Sequence, residues 1–176
     1  MPRQNVELKA KTDDWQHAIG CATSVATESL GEIHQIDTYF HAVRGRLKLR
    51  EISDGACELI WYNRANGYSP RISNFLLTPI TDSESIIESL SSALGVRVVV
   101  EKFRQIFLYH NVRIHIDRVV NLGNFVEFEA VVGGEIDNNK AKEQVLWLQN
   151  EFAILDRDLL STSYGDMLAT RGGGGA

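Results

Sequence analysis

The sequence predicts an α+β protein in which about eight β-strands close into a barrel around a charged interior, with helices packed outside. Three observations lead to this prediction. Eight segments have the period-two alternation or the β-forming composition of strands. The residues on their polar faces are mostly lysine, arginine, aspartate and glutamate. About eight strands is also the number at which a sheet can close with room for a small ligand.

Length and composition favour a single domain. The chain has 176 residues, so we predict one domain over 1–170 and a flexible glycine-rich tail over 171–176. The net charge of −5 disfavours a general nucleic-acid coat or a protein that binds anionic membranes. Cys21 and Cys57 belong to no CxxC pair, which argues against a zinc site. No apolar run could span a bilayer and no signal peptide is recognisable, so we expect a cytoplasmic location.

Each predicted strand rests on a local pattern. Several segments alternate between apolar and polar residues, and the others are short runs rich in β-forming residues. Turn signals such as Ser53-Asp54-Gly55 and Asn66-Gly67 separate them. In chain order the predicted strands cover residues 5–11, 35–40, 46–50, 57–64, 71–78, 98–107, 112–120 and 125–131.

Four helices are predicted from capping residues and apolar periodicity. Thr12 followed by two aspartates opens the first helix, which we expect over 13–30 with Gly31 at its end. The segment Thr81-Asp82-Ser83-Glu84 opens the second, which ends at Gly95. The third helix is amphipathic and the fourth is short. They are predicted over residues 138–154 and 164–168.

The polar strand faces carry the residues from which a function can be inferred. If the apolar faces pack against the helices, the charged faces line the lumen, where crowded like charges are costly unless a ligand compensates them. The plainer alternative is a solvated surface, with Tyr39 as a packing residue and His115 as a hydrogen-bonded structural residue. The bases are Lys9, Lys11, Arg46, Lys48, Arg50, Arg64, Lys102, Arg104 and Arg113, and the acids are Glu7, Asp117, Glu127 and Glu129.

A triphosphate with a divalent cation suits this combination of bases and acids. Arginine forks bind phosphate oxygens in pairs, and lysines supply point charges. Carboxylates do not bind phosphate directly, but they can hold Mg²⁺ or Mn²⁺, which bridges to phosphate oxygens. The predicted partner is therefore a small molecule that contains a triphosphate, with Mg²⁺ or Mn²⁺ as cofactor and no nucleic acid or membrane.

An ordered set of segments resembles the CYTH superfamily, also called triphosphate tunnel metalloenzymes. That superfamily includes class IV adenylyl cyclases, thiamine triphosphatases and inorganic triphosphatases. Its N-terminal signature, E-x-E-x-K, corresponds here to Asn5-Val6-Glu7-Leu8-Lys9. The resemblance covers nearly the whole chain. It continues through Asp37-Thr38-Tyr39-Phe40, Gly45 to Glu51, Glu101 to Arg104, Arg113 to Asp117, Leu122 to Glu129 and Ser163 to Leu168.

The resemblance implies an antiparallel eight-stranded barrel, open as a tunnel, and a role for each site residue. Glu7, Glu127 and Glu129 would be metal ligands, with Asp117 assisting. The bases would grip the triphosphate, and Tyr39, Arg64 and Lys9 are the predicted catalytic residues, with Tyr39 near the attacking water.

Two residues depart from the family pattern. Asn5 stands where the first glutamate of the signature is expected, which leaves open whether one metal ion or two would bind. Arg64 stands where many members have lysine. Because arginine is effectively never deprotonated, a lysine–tyrosine proton-transfer pair is less plausible here.

Three functions remain open at this point. The first is a metal-dependent triphosphatase acting on inorganic tripolyphosphate or on an organic triphosphate. The second is a class IV-type adenylyl cyclase that converts ATP to cyclic AMP and pyrophosphate. The third is a module that binds polyphosphate or nucleotides without turnover, since fold alone fixes function weakly. The protein is expected to be a monomer or a homodimer.

Overall fold

A closed antiparallel β-barrel of eight strands forms the centre of the protein. The computed structural model describes residues 3–172, and the last four residues of the predicted tail lie outside that range. Around the barrel the strands follow the order β1-β5-β4-β3-β2-β6-β7-β8. The strands are β1 (Arg3–Lys11), β2 (Glu28–Phe40), β3 (Arg46–Ile52), β4 (Cys57–Arg64), β5 (Arg71–Ile80), β6 (Val96–Tyr109), β7 (Val112–Val119) and β8 (Gly123–Val132).

Strand alternation separates the two faces of the barrel wall. On β1, for example, Val6 and Leu8 point outward into an apolar core, whereas Glu7 and Lys9 point into the lumen. The first and last strands pair with each other, with Leu8 opposite Phe128, so the sheet has no free edge. The predicted fold class, an α+β barrel with a charged lumen and outer helices, is confirmed.

Four helices pack against the outside and one end of the barrel. The largest apolar cluster lies under α1 and α3, where residues such as Leu148 pack on Ile114 and Phe128. A smaller cluster joins α2 to β2, β3 and β4. The helices are α1 (Trp15–Val25), α2 (Ser83–Leu94), α3 (Asn138–Glu151) and α4 (Tyr164–Gly172). Within the described residues, no helix is long and apolar enough to cross a membrane.

The first helix is shorter than its sequence pattern predicts. The prediction of a helix to residue 30, ended by Gly31, is wrong, because Glu28 already begins β2 and lies opposite Leu108 of β6. Gly31 has a φ of 83° and lies at a register shift in the β2–β6 ladder, so it marks a β-bulge. Pairing with β6 therefore outweighs the helical propensity of this segment. The caps of α2 are confirmed: Asp82 accepts a hydrogen bond from the Ser85 N–H, and Gly95 follows the last turn.

Candidate active site

The barrel encloses a cavity of about 120 Å³ that collects most of the predicted site residues. Because successive strand residues point to opposite faces, each charged strand contributes alternate side chains to this lumen. Seven of the nine predicted bases line the cavity, together with three of the four predicted acids and Tyr39. These bases are Lys9, Lys48, Arg50, Arg64, Lys102, Arg104 and Arg113, and these acids are Glu7, Glu127 and Glu129.

On one side of the lumen a single carboxylate is surrounded by three cations, and we call these four residues the Asp37 cluster. The Asp37 carboxylate accepts hydrogen bonds from Lys48 Nζ at 2.8 Å, Lys102 Nζ at 2.6 Å and Arg50 Nε at 2.7 Å. Burial raises the pKa of Asp37, but the charges of Arg50, Lys102 and Lys48 outweigh this and hold the pKa well below its ordinary value. One carboxylate cannot neutralise three cations, so the cluster carries excess positive charge.

The lysines of the Asp37 cluster are shifted toward their neutral forms. Burial, followed by repulsion from Arg50, lowers the pKa of Lys48 to about 8, although Asp37 acts in the opposite direction. Burial also lowers the pKa of Lys102 well below its ordinary value, against the attraction of Asp37. An anion placed beside these amines would favour their protonated forms.

On the opposite side, Glu7, Glu127 and Glu129 form what we call the acidic wall. Glu7 and Glu129 are Cα partners on β1 and β8. His115, Glu127 and Glu129 offer ligand atoms that all lie within 4.8 Å of one another. Burial raises the pKa of Glu7, and Glu127 and Glu129 contribute in the same direction, although Arg64 opposes them. The wall thus brings three carboxylates together as oxygen ligands, although Arg64 also contacts Glu7 at 2.8 Å.

The donor set of the acidic wall fits a hard divalent cation. Carboxylate and amide oxygens are the ligands that Mg²⁺ and Mn²⁺ prefer. The Asn5 Oδ1 atom is buried beside the wall on β1 and has no hydrogen-bond partner among the described residues. An unpaired buried acceptor is costly, so an oxygen-seeking cation would satisfy Asn5 as well as the carboxylates.

Glu127 is also held by basic residues of the lumen. Lys9 Nζ lies 3.0 Å from Glu127 Oε1, and Arg104 Nη2 donates to Oε2 at 2.8 Å. Burial raises the pKa of Glu127, but Lys9 and the hydrogen bond from His115 more than offset it, so the pKa lies well below its ordinary value. Glu127 is therefore ionised, and it contacts two bases while it forms part of the acidic wall.

Asp117 lies behind the cavity and not in its lining. Arg104 forms a two-pronged contact with it, from Nε to Oδ1 at 2.7 Å and from Nη2 to Oδ2 at 2.6 Å. The Tyr164 hydroxyl donates to the same carboxylate at 2.7 Å. Asp117 is fully buried, and these contacts position Arg104 and Tyr164 for the lumen.

Two arginines near α4 have buried N–H groups without partners. Arg64 Nη1 lies 2.8 Å from Glu7 Oε1, but the contact is not aligned as a hydrogen bond. Among the described residues, Arg64 Nε and Nη1 and Arg71 Nε and Nη2 have no hydrogen-bond acceptor. Leaving a buried donor unpaired costs about 1–3 kcal/mol, so these groups favour an incoming acceptor such as a phosphate oxygen.

Tyr39 lies between the Asp37 cluster and α4. Its hydroxyl lies 3.5 Å from that of Tyr62, and Lys48 Nζ lies 5.4 Å from its ring centroid. Burial raises the pKa of Tyr39 well above its ordinary value, and Tyr62 and Asp37 add to the shift. The phenol is therefore protonated and can donate a hydrogen bond, but it is a poor base.

Two predicted bases lie outside the cavity lining. The Lys11 side chain is 53% exposed and pairs with Asp13. Arg46 binds Asp166 of α4 through Nε and Nη2, at 3.1 and 2.8 Å. Both share a strand face with lumen residues but lie at strand ends, where the side chain leaves the barrel.

The segment at the start of α4 anchors the helix and completes the lumen. Ser163 Oγ accepts from the Asp166 N–H at 3.1 Å, and Asp166 also binds Arg97. Tyr164 enters the cavity, with Lys9 Nζ 3.6 Å from its ring centroid. A Cβ atom at Gly165 would come within 3.2 Å of the Tyr39 ring, so glycine permits this close packing.

Sequence reasoning missed several lumen residues. Asp37 and Tyr62 lie in predicted strands but were given no site role. Each is two residues from a predicted site residue, Tyr39 or Arg64, so strand alternation could have placed it on the lumen face. Arg71, which lies outside the cavity lining, points toward Glu7 from the start of β5. Tyr164 comes from a helix, so no strand pattern could have placed it in the lumen.

The CYTH domain profile matches residues 3–164. The chain belongs to the CYTH domain family. Members of this family are triphosphatases or adenylyl cyclase-like enzymes and depend on a metal ion. No protein with a curated description matches the chain.

Several solved structures share this CYTH fold at low sequence identity. The PH1012 protein from Pyrococcus horikoshii has a TM-score of 0.82 at 20% identity, over 92% of this chain and 98% of its own. A candidate adenylate cyclase from Vibrio parahaemolyticus has a TM-score of 0.77 at 21% identity, over 96% and 99%. HpAC1 from Hippeastrum, described as having a dominant triphosphatase activity, has a TM-score of 0.64 at 11% identity, over 97% and 96%. These similarities concern the fold.

Proposed function

We propose that this CYTH protein is a metal-dependent hydrolase of a triphosphate substrate. One observation carries the proposal: seven basic side chains and a separate acidic wall converge on the same buried cavity. The bases alone would suit any polyanion, and the acids alone any cation. Their combination in one lumen supports a triphosphate that binds together with a divalent metal ion.

The basic residues supply the grip for the phosphates. The lining contains seven bases and four acids, Asp37 included, so positive charge is in excess without a ligand. Phosphate oxygens would accept from Arg64 Nε, which has no hydrogen-bond partner among the described residues, and would compensate the excess cations of the Asp37 cluster. Such contacts hold the substrate in one orientation, which is the main protein contribution to phosphoryl transfer.

Glu7, Glu127 and Glu129 would hold Mg²⁺ or Mn²⁺, with Asn5 and His115 beside them. The ion would offset charge on the transferring phosphoryl group. Asn5 contributes an oxygen without a charge, so this site has one negative charge less than the family signature.

Three side chains of the lumen act as hydrogen-bond donors or positive charges toward the substrate. Tyr39 remains protonated and donates a hydrogen bond to a phosphate oxygen or to the attacking water. Arg64 cannot release its proton and serves as a fixed positive charge. Lys9, bound to Glu127 and packed on Tyr164, contributes a positioned ammonium group.

A product-release assay tests the proposal. Purified protein is incubated with tripolyphosphate, ATP and thiamine triphosphate, each with Mg²⁺, Mn²⁺ or EDTA, and products are resolved by chromatography. We expect orthophosphate that depends on metal. Absence of any product, together with tight binding of tripolyphosphate, would replace the hydrolase by the non-catalytic binding module.

Adenylyl cyclase is the second candidate function. The aromatic side chains of Tyr62 and Phe75 lie in the lumen next to the bases, where a nucleoside could pack. In that reaction the ribose hydroxyl attacks the α-phosphate and pyrophosphate leaves. Cyclic AMP in the ATP assay would establish the cyclase.

A further inference from the structure

One side of the lumen is apolar. Ile60 and Tyr62 face the cavity from β4, and Phe75 and Leu77 face it from β5. In the ladder between these strands Ile60 is opposite Leu77, and Tyr62 is opposite Phe75. Directly opposed side chains on one face of a sheet are neighbours. We call these four residues the apolar wall.

The apolar wall differs from the rest of the cavity lining. Three of its four residues have no polar side-chain atom, and the fourth, Tyr62, adds an aromatic ring whose hydroxyl lies 3.5 Å from that of Tyr39. Every other lining residue in the described chain is charged or carries a hydroxyl or amide group. The wall is also flanked by bases, since Lys48 is the Cα partner of Ile60 and Arg64 follows Tyr62 on the lumen face of β4. A ligand whose phosphates contact those bases would reach the wall with its remaining part.

The apolar wall runs lengthwise along the barrel. Tyr62 lies level with Arg46, the arginine that binds α4 through Asp166. Phe75 is the Cα partner of Tyr62, and Ile60 and Leu77, two residues further along their strands, form the next pair on the same face. The wall therefore extends from the α4 end over two residue pairs, about 7 Å, and is long enough to contact a ring system.

A triphosphate and a metal ion gain nothing from this wall. Tyr62, Phe75 and Leu77 line the cavity and are intermediate between buried and exposed, so part of their surface is left uncovered by other side chains. Apolar surface is stabilised when another apolar group removes it from water. A flat ring stacked on an aromatic side chain strengthens binding on the order of tenfold or more.

We propose that the apolar wall is a subsite for an aromatic ring carried by the substrate, which makes the substrate an aromatic organic triphosphate and not inorganic tripolyphosphate. This inference rests on the proposed function, because it places the triphosphate among the bases of the same lumen. The ring packs on Tyr62 and Phe75, while Ile60 and Leu77 complete the apolar surface.

Calorimetric binding of four probes tests the subsite. ATP and thiamine triphosphate carry rings, methyl triphosphate carries none, and tripolyphosphate is inorganic. Methyl triphosphate is the matched control because its triphosphate is esterified like that of ATP. We expect at least one ring-bearing probe to bind about tenfold or more tightly than methyl triphosphate. Methyl triphosphate binding as tightly as both ring-bearing probes would overturn the proposal.

Variants of Phe75 test whether the wall causes the preference. Phe75→Ala removes a ring from the wall, so we expect it to reduce the preference for the ring-bearing probe at least about fivefold. Affinity for methyl triphosphate should stay within about twofold. Leu76→Ala, on the outward face of the same strand and 46% exposed, is the control and should change neither affinity. An equal loss for all probes in Phe75→Ala would mean that the ring is structural.

A second variant covers the possibility that Phe75→Ala does not fold. Phe75→Leu keeps the apolar volume but removes the aromatic face, and circular dichroism checks its fold. We expect it to lower affinity for the ring-bearing probe and to spare methyl triphosphate. An unchanged preference in a folded Phe75→Leu protein would contradict stacking on this residue.

The binding assay separates this inference from the proposed function. Binding requires no turnover and can be measured with Mg²⁺ or with EDTA. Selective binding of a ring-bearing probe without orthophosphate release would sustain the subsite and reject the hydrolase. Efficient hydrolysis of tripolyphosphate with no preference for rings would sustain the hydrolase and reject the subsite.

Discussion

In the Asp37 cluster one carboxylate faces three cations, whereas in the acidic wall three carboxylates lie together on two strands. The two regions differ in arrangement, because each carboxylate of the wall also has a basic neighbour: Arg64 beside Glu7, Lys9 beside Glu127 and Arg113 beside Glu129. The wall supplies clustered oxygen ligands for a cation, and the Asp37 cluster supplies positive charge for an anion. A lumen with both features favours a ligand that carries both charges, such as a metal-bound phosphate chain.

Removing the central anion of the Asp37 cluster should have the largest effect. Asp37→Asn leaves three buried cations without a carboxylate, so we expect a loss of about 3–5 kcal/mol in the free energy of unfolding. Tripolyphosphate should restore much of the melting temperature, because it supplies the missing negative charge. Thermal melts with and without tripolyphosphate measure both effects.

The matched control for Asp37→Asn is Glu143→Gln, which removes an exposed carboxylate on α3. We expect a change within about 0.5 kcal/mol for this variant, and no special response to tripolyphosphate. If the Asp37→Asn protein were as stable as the parent, the cluster would need no internal anion. The contrast between the Asp37 cluster and the acidic wall would then be wrong.

Neutralising the acidic wall should abolish turnover. Glu127→Gln removes a charge from the donor set, and metal contributions are worth several kcal/mol, so we expect turnover to fall about 100-fold or more. Initial rates across a range of Mn²⁺ concentrations measure the loss. Lys11→Ala, outside the cavity on β1, should retain activity within about twofold. Full activity of the Glu127→Gln protein would show that Glu127 is not a metal ligand.

Binding of tripolyphosphate should take up protons in alkaline solution. The pKa of Lys48 is about 8 in the free lumen, and a bound polyanion raises it by favouring the charged amine. Proton uptake should therefore grow as the pH rises from 7 to 8.5, and affinity should fall as the pH rises through 8. Calorimetry in buffers of different ionisation enthalpy measures the uptake.

Arginine at position 48 gives the control for this proton uptake. Lys48→Arg keeps a cation that does not titrate in this range. We expect this variant to take up fewer protons than the parent. The remaining uptake should come from Lys102, whose pKa is also lowered by burial. Binding enthalpies that are independent of the buffer for the parent protein at pH 8.5 would contradict the prediction.

The smallest predicted effect concerns the contact between α4 and the lumen. Tyr164→Phe removes the hydroxyl that donates to Asp117 but keeps the ring beneath Lys9. One lost hydrogen bond to a buried carboxylate should cost about 1–3 kcal/mol of stability. Chemical denaturation measures this loss. A result of zero would show that Arg104 alone satisfies Asp117.

The strands and most of the lumen could be predicted because alternation assigns each residue to a face. Glu7 and Lys9 were identified on β1 in this way, and Lys48 and Arg50 on β3. Alternation does not tell how far along the barrel a side chain lies, so Lys11 was grouped with lumen residues. It also gives no register between strands, which is why the contact of Asp37 with Lys102, 65 residues away, could not be foreseen.

Other parts of the structure depend on distant pairing or on elements outside the sheet. Residues 28–30 continue a helical pattern locally, and only their ladder with β6 makes them a strand. Tyr164 and Asp166 belong to a terminal helix, and their partners come from β7, β3 and β6. No local pattern contains that information.

The continuous ring of eight paired strands restricts how a molecule can approach the residues of the lumen. A sheet without a seam offers no lateral opening, and α4 and Tyr164 lie at the end where β1 finishes. A long phosphate polymer could therefore present only a terminus to Lys9 and Glu127, because its middle cannot slip sideways through hydrogen-bonded strands. Under the proposed hydrolase function, a polymer would therefore be shortened only from an end that has entered the barrel.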